Sequence, residues 1–158
     1  MKKSGLSSII DSNTKVLILG SLPSDESIRQ QKYYANPGND FWKLISAAMG
    51  DDITGLDYDA RIASLKEHGI GLWDVFGAGE RKGSMDSGIK EEEVNDFSQL
   101  RSIAPNIRLV CFNGKKAGEG EHILKKLGFA TKLLPSSSGA NRRYSEKRIL
   151  EWKSIFNC

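Results

Sequence analysis

Lys15-Val16-Leu17-Ile18-Leu19, closed by Gly20, is short and unbroken in its apolar character. A strand with one wet face would alternate apolar and polar residues; this run leaves no polar face. It therefore predicts a strand buried on both sides, as in a parallel sheet covered by helices. The segment that follows, Ser21-Leu22-Pro23-Ser24 and on to Tyr33-Tyr34-Ala35-Asn36-Pro37-Gly38-Asn39-Asp40-Phe41-Trp42, reads as a long loop. In open α/β sheets ligands bind in the crevice beyond the carboxyl ends of the strands, so this loop is expected to face a site. Gly20 lets backbone approach a ligand closely, Ser21 and Ser24 offer hydroxyls, and Tyr33, Tyr34, Phe41 and Trp42 offer flat faces on which a planar ring can stack.

Outward from this unit, apolar strands alternate with helical periodicity. Asp40 is positioned to cap a helix over 41–49, in which Phe41, Leu44, Ile45 and Ala48 recur at helical spacing. Tyr58, Ile62 and Leu65 mark a helix over 57–67 that ends at Gly69. Ile70 to Phe76 is the second expected strand, and 77–93, with its glycines and charges, reads as a long loop that forms a lid or an edge of the site. Phe97, Leu100 and Ile103 predict a short helix before Pro105; Arg108 to Phe112 is the third strand. A helix over 114–127, weakened by Gly118 and Gly120, precedes the fourth strand, Ala130 to Leu134. Ser145 is expected to cap a last helix whose Ile149, Trp152 and Phe156 share one face. Residues 1 to 14 read as a loosely packed start. The pattern predicts α/β architecture, a three-layer α/β/α sandwich on a four-stranded, mainly parallel sheet.

Composition narrows the classes. The 158 residues are expected to form one domain, 39% of them apolar, with no apolar run approaching the roughly 18 residues of a membrane span and no basic-then-apolar leader. The expectation is a soluble, cytoplasmic monomer with no membrane contact. Two cysteines, Cys111 in an apolar strand and Cys158 at the last position, are too few for a thiolate metal site or an iron–sulfur cluster. The formal net charge of +3 is mild, but Lys115, Lys116, Lys125, Lys126, Lys132, Arg142, Arg143, Lys147 and Arg148 fall in the C-terminal third while Glu91 to Glu93 make the middle acidic. A basic face there could meet phosphates, or be ordinary solvated helix surface.

The motif G-S-L-P-S at 20–24 followed by Y-Y-A-N-P-G-N-D-F-W at 33–42 resembles the first motif of the uracil-DNA glycosylase superfamily, and most its hypoxanthine-DNA (deoxyinosine) glycosylase branch. Leu134-Pro135-Ser136-Ser137-Ser138-Gly139-Ala140-Asn141 resembles the second motif, the DNA-binding loop after the last strand. Gly71 to Val75 and Val110 to Gly114 are similar to the branch's inner strands, so the resemblance spans residues 14 to 157. It implies a monofunctional enzyme of base excision repair that hydrolyses the N-glycosidic bond of a deaminated base in DNA, chiefly hypoxanthine, with water as nucleophile and no metal or organic cofactor. No Lys stands in the motifs to form a Schiff base. A mismatch-type uracil-DNA glycosylase is the alternative enzyme; a module that binds nucleic acid or nucleotide without catalysis is the alternative outside enzymes.

By this resemblance Asn39 is the catalytic residue. Its amide carbonyl can accept a hydrogen bond from water and aim it at the anomeric carbon; alternatively, Asn39 is a helix cap beside Asp40. The resemblance places Gly20 and Ser21 at the flipped base and sugar. Phe41 is preferred over Trp42 as the ring that stacks on an extruded base. Tyr34, with Tyr33, lines the pocket or packs on the loop, and Asn113 reads a base edge or caps the helix that follows. In the second motif Pro135, Ser136, Ser137 and Ser138 offer hydroxyls and N–H groups to phosphates, and Ala140, Asn141 or Arg142 enters the gap left by the base; otherwise this is a polar turn capping the last helix. Uracil-specific members carry His near Leu134, and the hypoxanthine branch more often has Thr at Ser137 and Pro at Gly139. His68 and His122 fall near helix ends and are assigned no catalytic role.

Overall fold

The computed structural model describes residues 2–4, 6–81, 89–139 and 145–156. In chain order the elements are β1 (Lys2–Ser4), β2 (Val16–Gly20), α1 (Asp25–Gln30), α2 (Phe41–Met49), α3 (Tyr58–Glu67), β3 (Ile70–Asp74), β4 (Phe76–Arg81), β5 (Ile89–Val94), α4 (Leu100–Ile103), β6 (Leu109–Asn113), α5 (Lys115–Gly118), α6 (Glu121–Lys126), β7 (Thr131–Leu134) and α7 (Ser145–Lys153), which runs into a 3-10 turn over Ser154–Phe156.

The opening run is the centre of the molecule. β2 lies between β3 and β6, β7 pairs with β6, and all pairings in this four-stranded sheet are parallel, in the order β3-β2-β6-β7. Alternation along the strands divides the core in two. Val16, Ile18, Leu109 and Cys111 face Phe41, Ile45 and Trp152 from α2 and α7, while Leu17, Leu19, Val110 and Phe112 face Leu100, Ala117 and Leu124 from α4, α5 and α6. That is the expected three-layer sandwich.

The sequence reading needs correction in several places. The long loop expected over 77–93 contains two strands: β4 and β5 pair antiparallel, and β1 adds to β4 with Lys2 opposite Glu80. The second strand accordingly divides at Val75, where the chain leaves the parallel sheet, and Ser84 to Ser87 lie outside the described residues. The start of the chain is also better packed than expected: Leu6 and Thr14 are buried, and Ile9 bridges the edge strand at Leu72. The loop after β2 contains α1, whose Ser24 hydroxyl accepts the Ser27 N–H at 3.1 Å. The helix expected over 114–127 splits into α5 and α6 at Gly118 to Gly120, where a Cβ on Gly120 would lie 2.7 Å from Val75 Cγ1. α7 begins at Ser145 itself.

Candidate active site

The carboxyl ends of β2, β3 and β6 meet the loops after β2 and β7. At Tyr34 the backbone takes a left-handed φ of 53°, a conformation uncommon for a bulky residue and maintained only by its surroundings. It lays the Tyr34 ring flat over Phe41, centroids 3.9 Å apart and planes within 11°. Phe41 is 0% exposed, with Trp42 and Trp152 at its edges. The Tyr34 hydroxyl accepts a hydrogen bond from Asn113 Nδ2 at 3.2 Å. Gly20 completes this corner: a Cβ there would lie 2.6 Å from Asp74 Oδ1 and 3.4 Å from Tyr34 Oη, so a side chain would fill the space where the strand end, the acid and the phenol converge.

Asn39, at the end of the same loop, is half-buried. Its Oδ1 accepts the Phe41 N–H at 2.9 Å and the Ser137 hydroxyl at 2.7 Å. Ser137 is buried, and Asn113 holds it twice: Ser137 N–H donates to Asn113 Oδ1 at 2.9 Å, and Asn113 Nδ2 donates to Ser137 Oγ at 2.9 Å. The Asp40 N–H donates to the Ser137 carbonyl at 2.8 Å. Gly114, at a φ of 95°, lets the β6 end pass against Ser136, whose Cβ would lie 3.1 Å from a Cβ on that glycine.

A second brace lies beneath. Arg148 Nη2 donates to Asp40 Oδ2 at 2.6 Å, with side chains only 3% and 6% exposed, while its Nη1 donates to the carbonyls of Ser136 and Ser138 at 3.2 and 3.1 Å. Trp152 Nε1 donates to the Pro135 carbonyl at 2.9 Å. The first loop is anchored at its start as well. Tyr33 is buried and its hydroxyl donates to the Ser7 carbonyl at 2.9 Å; burial, reinforced by the charge of Asp74, pushes its ionisation well above the usual phenol range.

Two loops distant in sequence are thus joined through a strand-end amide, at the open end of a parallel sheet. The family model for the uracil DNA glycosylase superfamily matches residues 7–157. The chain belongs to the uracil DNA glycosylase superfamily. Among similar proteins, one from Methanosarcina acetivorans named "Hypoxanthine DNA glycosylase" is 56% identical over 156 residues, covering 99% of each chain. A protein of the same name from Methanosarcina barkeri is 54% identical over 156 residues, again covering 99% of each. A solution NMR structure from Methanosarcina acetivorans, described as a candidate uracil DNA glycosylase, superposes with a TM-score of 0.91 at 56% identity, covering 99% of this chain and 97% of that one.

Within this superfamily fold, the residues singled out in the sequence sort as follows. Asn39, Tyr34, Phe41, Asn113, Gly20 and Ser137 come together. Ser21 is buried beside them at the strand end, and its carbonyl accepts the Phe76 N–H at 3.0 Å. Ala140, Asn141 and Arg142 lie outside the described residues. Four assignments change. Ser137, expected to offer its hydroxyl to phosphate, is buried and donates it to Asn39 instead. Asp40 sits at the α2 cap position, yet its side chain makes no capping bond and pairs with Arg148, while Asn39 supplies an acceptor to the first turn. Arg148 is therefore not part of a basic surface. Asn113 does not cap the next helix: Gly114 holds that position, and the Asn113 amide bonds Ser137 and Tyr34. Trp42 is core, Tyr33 is an internal anchor, and His68 Nδ1 lies 2.9 Å from the Ser64 carbonyl at a helix end. Leu134, where uracil-specific members carry His, is buried in β7. Arg148 and Trp152 as braces were missed: Arg148 was read as basic surface and Trp152 only as part of an apolar face.

Proposed function

We propose that this protein is a DNA glycosylase that hydrolyses the N-glycosidic bond of deaminated bases in DNA, chiefly hypoxanthine, and so opens base excision repair. The observation that carries the reading is the Tyr34–Phe41 pair. A flat ring lies against Phe41 at stacking distance and presents an oxygen to Asn113 Nδ2. An extruded base carrying a carbonyl matches that place, with Phe41 as its stacking face and the Asn113 amide donating to the carbonyl once Tyr34 has swung aside.

Asn39 is the catalytic residue in this reading. Cleavage passes through an oxocarbenium-like state, so a positioned water suffices as nucleophile and a strong base is not required. Gly20 and Ser21 border the base and sugar. Ser136, Ser138 and the Pro135 turn lie toward the DNA backbone, with Ala140, Asn141 and Arg142 following them in the chain. Flipping costs least at weak pairs and in single strands, which are the expected best substrates.

The test uses labelled oligonucleotides bearing one hypoxanthine or one uracil, single- and double-stranded, under single-turnover conditions with alkali development of abasic sites. Hypoxanthine release by the wild type, lost in Asn39→Ala, is expected. Faster release of uracil would move the assignment to a uracil glycosylase, and salt-dependent binding without any abasic product would make the protein a binding module.

A further inference from the structure

We propose that Ser137 is a positioning residue for Asn39, and that it turns the amide so that Asn39 meets the substrate through Nδ2–H rather than through its oxygen. The inference rests on the glycosylase reading above. Each orientation follows from a backbone group that can only donate. The Phe41 N–H needs an acceptor, so the Asn39 atom 2.9 Å away is the oxygen. The Ser137 N–H likewise requires the Asn113 atom 2.9 Å away to be oxygen, which turns Asn113 Nδ2 toward Ser137 Oγ at 2.9 Å. With Oγ accepting from Asn113, its own proton goes to Asn39 Oδ1 at 2.7 Å. Both acceptor sites of Oδ1 are thereby filled from inside the protein. Asn39 Nδ2 has no protein partner among the described residues.

This revises the role expected for the amide from the sequence, where its carbonyl was to accept a hydrogen bond from water. With the oxygen committed, Nδ2–H donates to the water oxygen and leaves the other lone pair of that oxygen facing the anomeric carbon. As the carbon–nitrogen bond breaks, its electron pair leaves with the base, which takes up a proton. The water lone pair forms the new carbon–oxygen bond, and the oxonium so formed releases one proton to solvent. No group has to deprotonate water beforehand, because the oxocarbenium-like carbon is electrophilic enough to accept it. An ionised aspartate at 39 would accept the same two internal bonds and offer no donor.

Single-turnover hypoxanthine release and affinity for DNA bearing an abasic-site analogue, measured on wild type, Ser137→Ala, Ser137→Thr and Asn39→Asp, test this. The expected result is a rate about a hundredfold lower in Ser137→Ala with unchanged DNA affinity, recovery in Ser137→Thr, which keeps the hydroxyl, and no release by Asn39→Asp wherever its carboxyl is ionised. Four results overturn it. These are a Ser137→Ala variant at wild-type rate, one that loses DNA affinity along with rate, a Thr variant as slow as the Ala variant, and an Asn39→Asp enzyme whose rate rises through the carboxylate range. If the wild type releases no base, the glycosylase reading falls and this inference with it; an active wild type beside an active Ser137→Ala removes this inference alone.

Discussion

The loop after β2 carries its own core, whereas the loop after β7 borrows its support. In the first, Tyr33 is buried on the N-terminal segment, and Phe41 and Trp42 at its far end pack with Trp152 and Tyr58. In the second, residues 135–139 contain no aromatic ring and are held by polar bonds from Asn113, Arg148 and Trp152. Apolar packing is spread over many weak contacts and gives way gradually. A loop held by a few directed hydrogen bonds depends on single atoms, so its substitutions can disturb geometry while leaving the rest of the fold standing.

The largest effects should come from the anchor of each loop. Arg148→Met leaves the Asp40 carboxylate buried without its cation and is expected to lower the unfolding free energy by about 3–5 kcal/mol, with the double change Asp40→Leu plus Arg148→Met regaining much of the loss. Urea unfolding would show it; a single variant as stable as wild type would mean that the second loop does not depend on this brace. Phe41→Ala should cost a comparable ~3–5 kcal/mol by cavity formation, with no partner change able to restore it. Recovery by a compensating polar substitution would erase the contrast between the two loops.

Smaller effects sharpen it. Tyr34→Phe keeps the stack on Phe41 and gives up the bond from Asn113, so about 1 kcal/mol is expected by the same measurement. A much larger loss would show that the phenol, and not the ring, holds the first loop closed. The last effect is read against pH and belongs to Tyr33. Its ionisation is raised in the folded state, so its contribution is fully present below the unfolded phenol value of about 10 and is lost as pH rises through and beyond it. Stability against pH should fall on the alkaline side, and Tyr33→Phe should reduce that slope; an unchanged slope would assign it to other groups.

What could be read from the chain follows the range of the interactions. β2 and β6 are continuous apolar runs, α2 has a clear apolar period, and α3 has Tyr58, Ile62 and Leu65 at helical spacing between its Asp57 cap and Gly69, so local pattern was enough. β4 and β5, with sequences FGAGER and IKEEEV, carry the glycines and charges of a loop, and only their pairing makes them strands. α1, DESIRQ, has one apolar residue, Ile28, too few to show a helical period, and its Ser24 cap was read merely as a hydroxyl facing the site. Asn39 stood out by its place in the motif that resembles the superfamily's, and Asn113 because it ends a strand at the ligand-binding end of the sheet. The hydroxyl joining them did not, because no local signal distinguishes Ser137 from Ser136 or Ser138. The Asp40–Arg148 pair has no local signature either, its partners lying 108 residues apart.

That separation bears on when the site comes into being. Chains emerge amino end first, and contacts between distant residues form only after the intervening chain has been closed into a loop. A nascent molecule already carrying Asn39 and Asn113 still lacks the guanidinium that fixes Asp40 and the indole that holds Pro135. Assembly of the site therefore waits for the last helix to dock, and a chain halted before Arg148 has the motif of the enzyme without its brace.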